Sequence, residues 1–236
     1  MPVSIDIVLP CYNPGNNWIL ELERFYEASR RLYDLKFIVV NDGSKSPQVI
    51  EQVKALQQKN IPVRLVSYPD NIGKGYALRQ GVKETSASYI VYTDIDFPFT
   101  NQSVLKLIGE LASGSCDVAA GFRSDAYYEN KMSGFRSLLS KTFRFFIKRI
   151  LRIPVTDTQC GLKGFNARGR EKFLQTTVNR YLFDFEFIYS VCRDKSLRIQ
   201  TVEVELKEGV TFSKMKLRIL AQETLNLFSV LFFKKA

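Results

Sequence analysis

Apolar residues recur along the first half of the chain in short blocks, each closed by a cluster of turn-forming polar residues. Ser4 to Leu9, Leu35 to Val40, Pro62 to Ser67 and Tyr89 to Thr93 are such blocks, rich in Val, Ile and Tyr, and Asp117 to Phe122 adds another. Helix-like stretches follow them, among them Pro47 to Lys59 and Lys74 to Glu84. Short apolar runs alternating with helices are the pattern of parallel strands buried on both faces and joined by crossover helices. The expected class is α/β, an open, mostly parallel sheet flanked by helices.

In such sheets ligands bind outside the carboxyl ends of the strands. Those ends read Pro10-Cys11-Tyr12-Asn13 after the first strand, Asn41-Asp42-Gly43-Ser44 after the second and Asp94-Ile95-Asp96 after the fourth. The three clusters are expected to converge on one crevice. Each also has a plainer reading. Asn41 to Ser44 is good turn chemistry, although a carboxylate there could equally accept hydrogen bonds from a nucleobase or ribose. Asp94 and Asp96 could be a solvated turn ahead of a helix capped at Thr100. On an extended chain, however, alternation puts both carboxylates on one side with Ile95 opposite. Two like charges so placed repel unless a cation sits beside them. Hard divalent ions such as Mg²⁺ or Mn²⁺ take such oxygen ligands together with substrate phosphates. Gly73-Lys74-Gly75 opens a helix but matches neither the Walker spacing nor the dinucleotide fingerprint, since Leu78 stands at the third glycine position. It suits close backbone approach beside the crevice, with Lys74 or Arg79 near the ligand.

Two later stretches are amphipathic. From Phe135 to Ile153, Lys141, Arg144, Lys148 and Arg152 fall on one helical stripe and Leu139, Phe143, Phe146 and Ile150 on another. This is either a core helix with a solvated back or a helix lying at a membrane interface. Leu217 to Phe233 is apolar but interrupted by Arg218, Gln222, Glu223 and Asn226, so its clean part falls short of the ~20 residues that span a bilayer.

Composition narrows the chemistry. The 236 residues suit one α/β domain with a real core, and Lys plus Arg exceed Asp plus Glu, 34 to 24, for a net charge of +10. That surplus implies an anionic partner: nucleic acid, a phosphate-bearing substrate or an acidic membrane. No RNA-binding signature accompanies it. Cys11, Cys116, Cys160 and Cys192 form no metal-binding pairs and read as buried free thiols, and no signal core opens the chain, so a reducing cytoplasmic setting is expected. There are no histidines. Ser-His-Asp and Cys-His triads are thereby excluded, with the commonest general base.

The clusters, in their order, resemble the inverting family 2 glycosyltransferases of GT-A (Rossmann-like) fold, and more narrowly the dolichyl-phosphate or polyprenyl-phosphate glucose and mannose synthases. The resemblance rests on the runs Leu9 to Asn13, Val40 to Ser44, Asn71 to Gly75 with Ala77 and Arg79, and Tyr92 to Asp96. It continues through Gly121 to Arg123, Asp157 to Lys163 and Phe183 to Glu186. It implies a GT-A domain over residues 1–210 and a C-terminal amphipathic helix, 211–236, packing on the domain or on a membrane surface. It further implies that Pro10, Tyr12, Asn13, Asp42 and Lys74 bind the nucleotide-sugar, and that Asp94 and Asp96 hold Mg²⁺ or Mn²⁺ against its diphosphate. Arg123 and Lys141 would take the acceptor phosphate, with Gln159 lining that side. Asp94, Asp96 and Arg123 would carry catalysis. Pro14 stands where the family often has Glu, and Pro98 where some relatives supply a further metal ligand.

The missing histidine fits a phosphate acceptor. A sugar hydroxyl must lose a proton to a base, whereas a phosphate monoester, with a second pKa near ~6, is already largely ionised. The expected partners are a nucleotide-sugar, a polyprenyl or dolichyl phosphate and the cytoplasmic face of a membrane, with no nucleic acid. Transfer to a sugar hydroxyl is the alternative, in which Asp157 or Asp184 would have to act as base; a non-catalytic basic membrane- or RNA-binding module is the other. If the Phe135 to Ile153 segment is interfacial, replacing Phe143 and Phe146 by Ser will weaken binding to liposomes and spare nucleotide binding; unchanged liposome binding would refute that expectation.

Overall fold

The computed structural model describes residues 2–123, 155 and 157–210. The expected amphipathic segments Phe135 to Ile153, with Lys141, and Leu217 to Phe233, with the whole 211–236 extension, lie outside the described residues.

Among the described residues the strands are β1 (Val3–Cys11), β2 (Tyr33–Asp42), β3 (Val63–Tyr68), β4 (Tyr89–Tyr92), β5 (Val118–Phe122), β6 (Lys163–Phe165) and β7 (Ile199–Glu203). The helices are α1 (Trp18–Ser29), α2 (Gln48–Gln58), α3 (Lys74–Lys83), α4 (Asn101–Ala112), α5 (Ala167–Leu174) and α6 (Phe183–Arg193). The strands form one sheet in the order β3-β2-β1-β4-β6-β5-β7. All pairings are parallel except those of β6, which runs antiparallel to both β4 and β5. The expected blocks coincide with β1 to β5 within two residues at each end; β6 and β7 complete the sheet.

The central strands are largely apolar because both their faces are covered, and the buried Asp6 of β1 accepts from the Ser86 and Ala87 N–H groups. On β1 and β2, Ile5, Ile7, Leu9, Leu35, Phe37 and Val39 join one core with Trp18, Leu22 and Phe25 of α1, Val49 and Val53 of α2 and Leu107 of α4. The alternate positions Val8, Ile38 and Val40 join a second core with Ala77, Leu78 and Val82 of α3 and Phe183 and Phe187 of α6. Period-two alternation is therefore present in direction but not in polarity.

Helix α3 lies very close to the sheet at Gly81, where an added Cβ would stand 2.3 Å from Val8 Cγ1 and 2.8 Å from Val40 Cγ2. This contact sets how near the α3 N-terminus, with Lys74, comes to the strand ends. Alanine has a better helix propensity than glycine by ~1 kcal/mol. Overpacking outweighs it here, so Gly81→Ala is expected to destabilise the protein by about 1–3 kcal/mol. Urea unfolding at unchanged m-value measures this; an equal or higher midpoint would contradict the packing.

Candidate active site

Strand order reverses direction between β1 and β4: the chain runs outward through β2 and β3, then returns to the other side of β1. A crevice opens at such a switch point, outside the carboxyl ends. Cys11, Asp42 and Tyr92 end the three strands around it. The antiparallel β6 adds a second set of residues to the same edge. Because Tyr92 pairs with Lys163, and Lys163 also pairs with Ala120, the residues preceding β6 and those following β5 reach the crevice as well. Asp94, Asp96, Asp157, Gln159 and Arg123 are thus gathered from distant stretches of chain.

Asp94 and Asp96 do come together, but not on an extended strand as expected. β4 ends at Tyr92, and the chain then turns, with Phe97 N–H donating to the Asp94 carbonyl at 3.0 Å. Phe97 has φ of 46°, a left-handed conformation rare for a bulky residue. Its ring is buried and stacked on Phe25 with centroids 5.3 Å apart, which offsets the strained backbone. Thr100, as expected, caps the following helix by accepting from Ser103 N–H. The Asp96 carboxyl lies above the ordinary carboxylate range, first because neighbouring chain withdraws solvent and then because Asp94 repels its charge.

Lys74 Nζ donates to Asp94 Oδ1 at 2.5 Å. Burial alone would lower the lysine's pKa, but Asp94, Asp184 and Asp96 more than offset it and hold the ammonium above its usual value. The glycines flanking Lys74 do allow close backbone approach, as expected. A Cβ at Gly73 would lie 2.4 Å from the Asn179 carbonyl oxygen, and one at Gly75 would lie 2.4 Å from that of Val178. Asn179 O also accepts from the N–H groups of Gly75 and Tyr76, so it satisfies part of the α3 N-terminus. The close approach is to the protein's own 176–180 loop. Arg79, the other cation considered for the ligand, is turned to that loop too, donating to Val178 O and Asn179 Oδ1.

Asp42 is buried, and its carboxylate accepts from Ile72 N–H, Gly73 N–H and Asn71 Nδ2 at 2.8 to 2.9 Å. A carboxylate has roughly four acceptor positions, so most are used in shaping the 70–73 turn. Asn13 likewise ties two loops, donating from its N–H to Ser44 Oγ and accepting from Lys45 N–H. Pro10 is buried within β1, opposite Val40, while Tyr12 is exposed beside them. The thiol of Cys11, at the same strand end, is pushed up to about 12 by burial and by Asp42. All four cysteines are free, and three are buried.

On the opposite side Arg123 grips Asp157 with a fork, Nε to Oδ2 at 2.8 Å and Nη2 to Oδ1 at 2.9 Å, and its backbone N–H adds a third bond. Gln159 is exposed at the turn that follows. Gly161 closes the gap to the first cluster, since a Cβ there would lie 2.9 Å from Asp94 Oδ2 and 3.5 Å from Lys74 Nζ. Beneath the turn, Asp184 Oδ1 accepts from Tyr92 Oη at 2.6 Å and from the fully buried Lys163 Nζ at 2.8 Å. Lys163 and Tyr92 carry no role in the sequence reading. Their only signal there is membership of the runs Asp157 to Lys163 and Tyr92 to Asp96.

The donor set fits a hard divalent cation in part. Asp94 and Asp96 offer carboxylate oxygens, of which Asp94 Oδ1 is shared with Lys74. No group of three or more acidic, Cys or His residues that could hold a metal occurs among the described residues. The remaining ligands would come from phosphate and water, the usual arrangement for Mg²⁺. One consequence concerns Asp42. Its loss would leave two backbone N–H groups unpaired, so Asp42→Ala is expected to cost about 3 kcal/mol. Urea unfolding would measure it, with faster amide exchange at residues 71–73; unchanged stability would refute the assignment.

The fold matches that of the GT-A glycosyltransferases. Glucosyl-3-phosphoglycerate synthase from Mycobacterium tuberculosis in complex with UDP superposes with a TM-score of 0.72 at 19% identity, covering 98% of this chain and 79% of that one. Mannosyl-3-phosphoglycerate synthase from Rubrobacter xylanophilus gives 0.69 at 15% identity, with coverage of 97% and 72%. Among curated proteins, a dolichyl-phosphate beta-glucosyltransferase of Trichomonas vaginalis is 26% identical, over 98% of this chain and 74% of its own length. The human dolichyl-phosphate beta-glucosyltransferase is 29% identical over 79% of this chain, and the match spans 62% of the human protein. Residues 6–174, well over half the chain, match glycosyl transferase family 2, and the protein belongs to that family.

Proposed function

We propose that this chain transfers glucose from a nucleotide-sugar to the phosphate of a polyprenyl or dolichyl lipid, inverting the anomeric centre without a protein general base. The observation that carries this reading is the state of the two carboxylates that a hydroxyl acceptor would require. Asp157 is held in the Arg123 fork, and Asp184 is buried against Lys163 and Tyr92. With no histidine in the sequence, none of these groups is set to take a proton. A phosphate acceptor needs none. The names of the curated relatives, dolichyl-phosphate beta-glucosyltransferases from organisms as distant as Trichomonas and human, support the same acceptor and sugar.

In this reading an oxygen of the lipid phosphate attacks the anomeric carbon as the bond to the nucleoside diphosphate breaks. Asp94 and Asp96 would hold a divalent cation, which supplies positive charge to the departing diphosphate. Crystals of the M. tuberculosis neighbour with Mn²⁺ and UDP support that role. Lys74 adds a fixed cation beside Asp94. Pro10, Tyr12, Asn13 and Asp42 would shape the base and ribose site, Asp42 chiefly through the 70–73 turn. Arg123, held rigid by Asp157, would orient the acceptor phosphate, with Gln159 and Lys141 on the same side. Preorganised charge of this kind acts without reorganisation at the moment of reaction. The acceptor places the enzyme at a membrane surface, with peripheral contact on the cytoplasmic face as the proposed location. No described helix is long and apolar enough to cross a membrane.

The test is to incubate the protein with labelled UDP-glucose or GDP-mannose, Mg²⁺ or Mn²⁺, and a polyprenyl phosphate. Glucose label should enter the organic phase in a product labile to mild acid, and Asp96→Ala should lower the rate by ~10²–10³-fold. The rate should rise with pH through ~6 as the acceptor phosphate ionises. Label passing instead to a sugar hydroxyl would overturn the reading.

A further inference from the structure

The Lys163–Asp184 pair is the most deeply buried ion pair among the described residues, with side-chain exposures of 0% and 6%. Burying two charges costs several kcal/mol per ion, and a well-packed apolar pair is often as stable. The pair is therefore better explained by what it holds than by its contribution to stability. Lys163 Nζ donates to the carbonyl of Cys160 as well as to Asp184, and it lies 5.8 Å from the centre of the Tyr92 ring. Cys160 precedes Gly161, the residue that lies against Asp94 and Lys74. Asp184 sits in the first turn of α6, where the helix dipole favours a negative charge. It also contributes to the field that keeps Lys74 charged.

We propose that Asp184 and Lys163 are positioning residues that register the acceptor-side turn, residues 157–162, on the donor-side Asp94. Asp184 is the common anchor. It takes the Tyr92 hydroxyl from the strand leading to Asp94, and it takes Lys163, which grips the turn from below through the Cys160 carbonyl. With the two sides joined in this way, the acceptor phosphate and the anomeric carbon are set by one rigid contact. The reaction concerned is the one put forward under Proposed function, and for its substrates the inference rests on that reading.

Asp184→Asn alone leaves Lys163 buried without a counter-charge and could unfold the protein. The informative variant is the double change Lys163→Met and Asp184→Asn, which removes both charges. Tyr92→Phe, nearly isosteric, is the second: it deletes only the hydroxyl bound to Asp184. In the double variant amide exchange at residues 157–163 should accelerate selectively. Affinity for UDP with Mn²⁺, measured by calorimetry, should stay at the wild-type value, and kcat should fall ~100-fold, as expected for misplacement of about 1 Å. Tyr92→Phe should move exchange and kcat in the same directions by less. A structural role alone would change thermal stability without the local exchange or the separation of kcat from nucleotide affinity. Wild-type exchange at 157–163, or undiminished kcat, in folded Tyr92→Phe or the double variant would overturn the proposal. If the unaltered chain glycosylates no polyprenyl phosphate, the proposed reaction falls, while the exchange measurements still decide the coupling because they need neither acceptor nor turnover.

Discussion

The reversed direction of β6 is the constraint on which the site depends. A purely parallel sheet would deliver residues to the crevice only from the carboxyl ends of its strands, each followed by its own crossover. β6 enters from the opposite sense between β4 and β5, so the residues before it, not after it, stand at the crevice. Asp157 meets Arg123 from the end of β5, and Gly161 meets Asp94 from the end of β4. Three residues of antiparallel pairing thus bring two polar clusters into contact. Close approach on both sides explains why glycine occupies positions 161 and 164: a Cβ would lie 2.9 Å from Asp94 Oδ2 at the former and 2.4 Å from Leu111 Cδ1 at the latter.

What the sequence disclosed follows from the range of the interactions involved. Strands β1 to β5 were legible because two-sided burial writes itself locally as apolar runs. Convergence of the polar strand ends followed from fold class alone. The pairing of Asp94 with Asp96 was anticipated for the wrong reason. Alternation on an extended chain predicts it, whereas burial of the Phe97 ring, with Pro98 next to it, makes a turn. The glycines at 73 and 75 showed close approach without showing to what, because the partner loop lies about a hundred residues further along. Lys163 is legible only as a member of the run Asp157 to Lys163, and Asp184 only through the run Phe183 to Glu186 and as an alternative base. Nothing local distinguishes a lysine fully buried against an aspartate 21 positions away from one in solvent.

Most charges of the crevice, among the described residues, are held in pairs. The protein carries a net +10, and among the described residues Asp94, Asp157 and Asp184 are paired with Lys74, Arg123 and Lys163, while Asp96 feels Lys74 and Lys207 at longer range. The Asp96 carboxyl is raised by burial and by Asp94, so a cation beside the two would relieve their repulsion. A divalent ion there would add positive charge facing the diphosphate, and metal and donor binding would then reinforce each other. Asp157 and Asp184, the two carboxylates that a hydroxyl acceptor would need, are each held by a cation of the chain. For the proposed reaction, a crevice whose carboxylates are held in this way is poorly placed to remove a proton from a neutral hydroxyl, and a phosphate acceptor requires none. Its chemistry is set by where its charges are already spent.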